Sequence, residues 1–137
     1  MEQSQSLKFK NKYAAYLKAV KQNGWLLQDI DECYITYELC IEAVKNVGFA
    51  LKLVPEHLIT HELCLEAVNN YSGMTLYVPY QYRTYEFFLE AVKQNAYVLQ
   101  YVPEQHIDAI MCLMALQSNP RVMELVPEKF KNLIEGL

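Results

Sequence analysis

No apolar run in this chain exceeds eight residues, Ala109 to Leu116, far short of the roughly 20 that a helix needs to span a bilayer. The opening Met-Glu-Gln-Ser-Gln-Ser is polar and lacks the apolar stretch of a secretory signal, so a cytoplasmic protein with no membrane anchor is expected. Chemistry-bearing motifs are missing too: there is no Gly-rich phosphate loop, no G-x-S-x-G and no H-E-x-x-H. No C-x-x-C occurs, and His57, His61 and His106 form no helical ligand pair with a cysteine or an acid. No catalytic residue, metal or cofactor is expected, and the reading is not an enzyme. Charged residues are only 20% of the chain against 53% hydrophobic, which suits a soluble folded protein and excludes a disordered one.

What the chain does have is a period. Ala-Val recurs every 24 residues, at Ala19-Val20, Ala43-Val44, Ala67-Val68 and Ala91-Val92, with Ala115-Leu116 as a relaxed fifth copy. Val54-Pro55, Val78-Pro79, Val102-Pro103 and Val126-Pro127 keep the same interval, with Ile30-Asp31 in the first slot. A fixed period of this length marks stacked repeats, each needing neighbours to bury its apolar face. A simple helical bundle has no reason to hold that register. The expectation is an all-α fold: a short α-solenoid of about five helix-pair repeats in a single domain, residues 1–137. The units fall near 12–35, 36–59, 60–83, 84–107 and 108–131, with a capping helix over 129–137.

In each unit a polar residue (Thr36, Thr60, Thr84, Asp108) is placed to cap a long helix, and Glu38, Glu62 and Glu86 follow in its positive first turn. Apolar Tyr37, Cys40, Ile41, Val44 and Val47 then recur at the spacing of one buried stripe. The constant Ala is small enough to let a neighbouring helix approach. Gly24 and Gly48 are read as left-handed caps; Ser72-Gly73 shifts that cap, Ala96 replaces it and Pro120 stops the helix. A second, shorter apolar pattern of about two helical turns follows (Ala50, Leu51, Val54), and Val-Pro turns the chain because a residue before proline avoids the α region.

Cys40, Cys64 and Cys112 share one apolar column with Tyr16 and Phe88. Helices about 8–10 Å apart hold such positions beyond the ~7 Å reach of a disulfide, so buried thiols are expected. Cys33 stands alone in a connector. Charge is uneven: residues 1–21 hold five lysines and one acid, leaving 7 basic and 15 acidic residues for the remainder. An acidic body repels phosphate, so direct nucleic-acid binding is not expected. The lysine-rich lead reads as a solvated tail or an end cap.

The unit Tyr-Glu-Leu-Cys-Ile-Glu-Ala-Val-Lys-Asn-Val-Gly-Phe-Ala-Leu-Lys-Leu-Val-Pro-Glu, from Tyr37, resembles a repeat family of unknown function found in bacterial and viral proteins, with units like E-x-C-x-x-A-V-x-x-x-G-x-x-L-x-x-V-P-E. The match runs from about Tyr13 to Lys131. It is strongest in the units at Tyr37 and Tyr85, and weakest in the first, which has Ile30-Asp31 for Val-Pro, and the third, where Tyr80 replaces Glu. The resemblance implies the repeat fold and an interaction module. It implies no partner and no catalytic residue.

Three features are candidates for function. Glu38 and Glu42, Glu62 and Glu66, and Glu86 and Glu90 form a ladder of carboxylates at i,i+4 on successive long helices. It is either a solvated face or a docking surface for a basic partner. Tyr71, Tyr77, Tyr80, Tyr82 and Tyr85 crowd one connector with Gln81 and Arg83, where the unit departs most from its neighbours. Tyr80, Gln81 and Arg83 are the candidate contacts there; Tyr77 and Tyr82 share columns with core residues. Trp25, Phe49 and Tyr97 open the short helices and are read as packing between repeats rather than a ligand groove. The expected function is a non-enzymatic adaptor or inhibitor, monomeric, that binds another protein through the acidic face, the tyrosine connector or both. Its alternatives are a viral or mobile-element inhibitor covering the basic channel of a nucleic-acid enzyme, and a self-associating structural repeat protein.

Overall fold

A computed structural model describes residues 2–136. Its long helices are α1 (Glu2–Gln22), α2 (Tyr37–Asn46), α3 (His61–Asn70), α4 (Tyr85–Gln94), α5 (Ala109–Ser118) and α6 (Glu128–Glu135). No strand occurs among the described residues. The expected cap over 129–137 is α6; Leu137 lies outside the described residues. The chain forms two compact units, Met1–Asn70 and Tyr71–Leu137, so the boundary falls directly after α3.

In the first unit α1 packs on α2 and α2 on α3, while the short helices Gly24–Asp29 and Gly48–Leu53 form a second layer against α2. The second unit repeats the plan, with α4 on α5 and α5 on α6 beside Ser72–Tyr77, Ala96–Tyr101 and Pro120–Leu125. Between the layers lies the core: Leu39, Cys40, Ala43, Val44 and Leu51 in one unit; Phe87, Phe88, Val92, Leu99 and Met111 in the other. The expected stripe was too narrow. Leu39, Leu63, Phe87 and Met111 are fully buried although the stripe omitted their column, because a helix flanked by others and by the short-helix layer is covered on more than one side.

The expected caps form. Thr36, Thr60, Thr84 and Asp108 accept hydrogen bonds from the backbone N–H three residues on, at 3.2, 3.1, 3.1 and 2.8 Å. Val54, Val78, Val102 and Val126, each before a proline, take extended ψ values of 126–130°. Asp31, in the proline slot of the first repeat, adopts φ −57°, the value proline imposes elsewhere in the array.

Three expectations are corrected. First, α1 begins at Glu2, not near residue 12: the lead has no Pro or Gly and carries Gln3, Gln5, Leu7, Lys8 and Lys10, good helix formers. Phe9 stacks on Tyr34 with centroids 4.5 Å apart, and the Lys12 ammonium lies over the Tyr34 and Tyr16 rings and 3.9 Å from Asp31, which anchors this extension to the first repeat. Second, the connector is not a plain turn but carries a further 3-10 turn such as Glu56–Leu58; the short helices keep the expected two turns as six residues of 3-10 helix. Three residues per turn let six residues complete two turns between breaks.

Third, Gly24 and Gly48 are not left-handed caps, since no described residue has positive φ. They are required by close approach. A Cβ on Gly48 would lie 2.8 Å from the Ala67 carbonyl oxygen and 3.0 Å from Asn70 Oδ1; one on Gly24 would collide with the Ala43 carbonyl and lie 2.7 Å from Val47 Cγ1. The constant Ala and the Gly are thus two halves of one contact between repeats. An asparagine seals it. Gly24 N–H donates to Asn46 Oδ1 at 2.7 Å while Asn46 Nδ2 donates to the Lys21 carbonyl at 3.2 Å; Asn70 does the same for Gly48 and Lys45, at 2.6 and 3.2 Å. Backbone groups left over where one long helix ends are satisfied by the last residue of the next.

Gly48→Ala is expected to destabilise the protein by about 2–3 kcal/mol through overpacking against backbone. Gly48→Asn, which a left-handed cap would tolerate, does no better. Asn70→Ala, which strands the Gly48 N–H, costs about 1–2 kcal/mol. Urea unfolding followed by circular dichroism measures all three, and a Gly48→Asn variant as stable as wild type contradicts the close-approach reading.

Candidate functional site

The third repeat supplies the beginning of the second unit, and its side chains invert the pattern of the others. Where the other repeats place Leu27, Leu51, Leu99 and Met123, it has Thr75; where they place Ile35, Ile59 and Ile107, it has Arg83. Thr75 is the one buried polar side chain among the described residues. Its hydroxyl donates to the Ser72 carbonyl at 2.7 Å, and Arg83 Nη1 donates to the Thr75 carbonyl at 2.6 Å. The Arg83 guanidinium also lies 5.5 Å from the centre of the Phe88 ring, whose centroid is 5.4 Å from that of His106. The backbone at Arg83 bends to ψ 65° and Thr84 N–H bonds the Tyr82 carbonyl, so this connector is tighter than its counterparts.

The outer surface changes in the opposite sense. Gln28, Lys52, Gln100 and Glu124 are exposed, and the third repeat has Leu76 in that column, 63% exposed. Glu32, Glu56, Glu104 and Glu128 are exposed, and the third repeat has Tyr80, 92% exposed. Tyr77 adds to this patch at 48% exposed, not in the core as its column suggested; that column is the last residue of the short helix and sits at the rim of the layer. Tyr82 is half-buried. Tyr71 folds its ring over Gly73, where a Cβ would lie 2.6 Å from the ring edge. Gly73 occupies the column of Trp25, Phe49 and Tyr97, so the Tyr71 ring fills the gap its own repeat leaves in that column.

The structure therefore separates the connector candidates. Tyr80 and Gln81 face solvent, while Arg83 is half-buried and committed to Thr75 and Phe88. Leu76 was missed by sequence reasoning, although comparing each solvent-facing column across the five repeats would have found it.

The carboxylates divide as well. Tyr13 donates to Glu38 at 2.7 Å and pairs with the Thr36 hydroxyl, and Tyr37 donates to Glu62 at 3.3 Å and pairs with Thr60. Each clasp ties one long helix to the start of the next, from the middle of α1 at Tyr13 and from the start of α2 at Tyr37. Glu42 and Glu66, read as exposed, are half-buried, and Glu42 lies 4.0 Å from Lys45. In the second unit Glu86 and Glu90 are exposed on α4. Burial, with the hydrogen bonds to Glu38 and Glu62, raises the Tyr13 and Tyr37 phenols; burial and Asp108 raise Tyr85. Trp25 and Phe49 stack at 6.1 Å as expected, yet Trp25 stays exposed.

Cys40, Cys64 and Cys112 are buried free thiols and Cys33 is exposed. Burial pushes Cys40 to about 11 and Cys64 to about 12. Among the described residues no group of three His, Cys, Asp or Glu side chains could hold a metal ion, and no helix is long and apolar enough to cross a membrane.

Stacked helix pairs in constant register make this an all-α repeat protein. Residues 16–59 and 60–107 match the family described as Domain of unknown function (DUF4116), covering more than half of the chain, and the chain belongs to that family. Neither a curated protein nor a solved structure matches it.

The buried thiols and clasped phenols carry their protons in the folded state at pH values where the unfolded chain has lost them. Their contribution is intact below the ordinary thiol value of 9.0 and is lost as pH rises toward 11–12. Urea midpoints are expected to be level up to about pH 9 and to fall above it. A thiol reagent at neutral pH should titrate Cys33 alone in the native protein and all four cysteines in urea.

Proposed function

We propose that this chain is a non-enzymatic protein-interaction module, an adaptor or inhibitor, that receives its partner on the Leu76–Tyr80 surface of the second unit. The observation that carries this reading is the inverted third repeat. A repeat under selection for stacking alone keeps apolar residues in the inner columns and polar ones in the outer. Here Thr75 and Arg83 place polar groups inside while Leu76 and Tyr80 place apolar area in water. Exposed apolar clusters of this kind mark interaction surfaces, and tyrosine offers large rigid contact area with a polar tip. Arg83 serves the site from beneath by holding the connector, and Gln81 supplies a polar edge. Glu86 and Glu90 add negative charge on α4, which favours a basic partner.

A charge-mimic inhibitor that covers a nucleic-acid enzyme's basic channel has less support. Of its six carboxylates, Glu38 and Glu62 accept tyrosine hydroxyls and Glu42 and Glu66 are half-buried, so much of the ladder serves to join repeats.

Leu76→Gln with Tyr80→Glu restores the residues found in the same columns of other repeats, and is expected to leave helicity and the urea midpoint unchanged while removing partner capture in affinity purification. Glu86→Gln with Glu90→Gln should weaken capture and flatten its salt dependence. If the Leu76→Gln/Tyr80→Glu protein retains the same partners as wild type, the surface is not the site.

A further inference from the structure

Two of the short helices lack charge altogether. Those of the first, second and fifth repeats carry Asp29, Lys52, and Arg121 with Glu124. Ser72–Tyr77 and Ala96–Tyr101 carry no ionised side chain, and the segments around them, 67–82 and 94–103, are uncharged throughout. These two helices pack on each other within the second unit, so their columns run side by side, Leu76 with Gln100 and Tyr77 with Tyr101. Tyr71 and Tyr97, 47% and 43% exposed, extend the surface of Leu76, Tyr77 and Tyr80, for the Tyr71 ring lies over Gly73 in the column of Tyr97. Exposed Gln81 and Gln100 are its polar groups, and it ends at Glu104, which holds the Tyr80 column in the next repeat. Four tyrosines and a leucine exposed to this degree leave on the order of 500 Å² of side chain in water, at the upper end of the largest patch on an ordinary monomer. With the glutamines and Tyr101 the face approaches the ~800 Å² that one side of a standard interface buries.

We infer that this face is a two-fold interface, and that the occupant of the Leu76–Tyr80 surface is the same surface of a second copy of this chain. The inference rests on the interaction surface argued above and names its partner. Composition selects the occupant. A layer that received a charged segment would carry opposite charges to steer and register it, and these two helices offer none. Interfaces between copies of one chain are the more apolar class, with charge depleted at their centre. A two-fold axis sets one patch against itself, so an uncharged face meets no like charge there. The tyrosine rings and Leu76 supply the apolar centre, and Gln81 and Gln100 the polar edge. The Trp25–Phe49 stack is also partly exposed, but its short helices carry Asp29 and Lys52, which a two-fold contact would bring toward their own copies. Open-ended stacking of repeats is a different arrangement and is disfavoured by the ends themselves. Lys12 and Ala14 replace the Thr and Glu that would receive a clasp, and Ala109 replaces the tyrosine that would donate one.

Sedimentation velocity of the full chain, up to about 100 µM, tests this. Wild type is expected to form a dimer and no larger species, and the dimer persists when salt is raised to about 0.5 M, because no ion pair holds it. Gln100→Glu sets one carboxylate from each copy into the uncharged face and should weaken the dimer at least about tenfold. Helicity is retained, since Lys52 and Glu124 already occupy that column. Gln28→Glu, the same column in the first repeat, adds the same net charge and should leave the dimer intact. A wild-type chain that stays monomeric, a dimer that 0.5 M salt dissociates, or a Gln28→Glu variant weakened as much as Gln100→Glu overturns the inference. If the chain is monomeric while Leu76→Gln/Tyr80→Glu still abolishes capture of another protein, self-occupancy falls and the interaction surface stands. If dimerisation is indifferent to Gln100→Glu, and capture to Leu76→Gln/Tyr80→Glu, both fall.

Discussion

An α-helix cannot stop without leaving carbonyls and N–H groups unpaired, and the stops of α1 and α2 are repaired by the following repeat. Asn46 and Asn70 stand at the ends of their own helices and bond the break one repeat earlier, while the Ala carbonyls press against glycines that have no room for a Cβ. The ledger of backbone hydrogen bonds closes only between neighbours. No repeat in that unit is complete alone, which is why the period is held so strictly.

The tyrosine clasps extend the same logic to the other end of each helix. Tyr13 and Tyr37 bond both the capping threonine and the first-turn glutamate of the next helix, so one phenol fixes where the next helix begins against its own. Carboxylates that look like a free acidic face in the primary structure are therefore partly fastenings. Their charge still contributes to the surface potential, but the geometry of Glu38 and Glu62 is set by packing between repeats. The columns that no fastening uses are where the third repeat departs from the others, with Leu76 and Tyr80 exposed.

The same repeat shows how a surface can change without loss of the array. Thr75 would leave a polar hydroxyl in an apolar layer, but it is turned onto the Ser72 carbonyl, and Arg83 covers the Thr75 carbonyl while resting on Phe88. Each inner substitution finds a backbone carbonyl, Ser72 for the Thr75 hydroxyl and Thr75 for the Arg83 guanidinium, so a tight connector with Tyr80 at its exposed corner is compatible with a closed core.

Period, helix class, capping threonines and buried thiols were all legible in the primary structure, because each depends on neighbours a few residues away or on a column repeated along the chain. The 24-residue interval alone determined an all-α stack, and the Val-Pro pairs determined where it turns. Three things were decided only in three dimensions. The glycines looked like left-handed caps because local chemistry allows that role, whereas their real constraint is the carbonyl of Ala43 or Ala67 in the next repeat. The glutamates and Arg83 looked available because the partners that occupy them, Tyr13, Tyr37, Thr75 and Phe88, are set by packing of one element on another. Leu76 breaks a polar column already visible along the chain, but the folded layers decided that 63% of it stays in water. Local hydrogen bonding is encoded residue by residue; which side chains are left over for a partner is known only after the repeats have closed on one another.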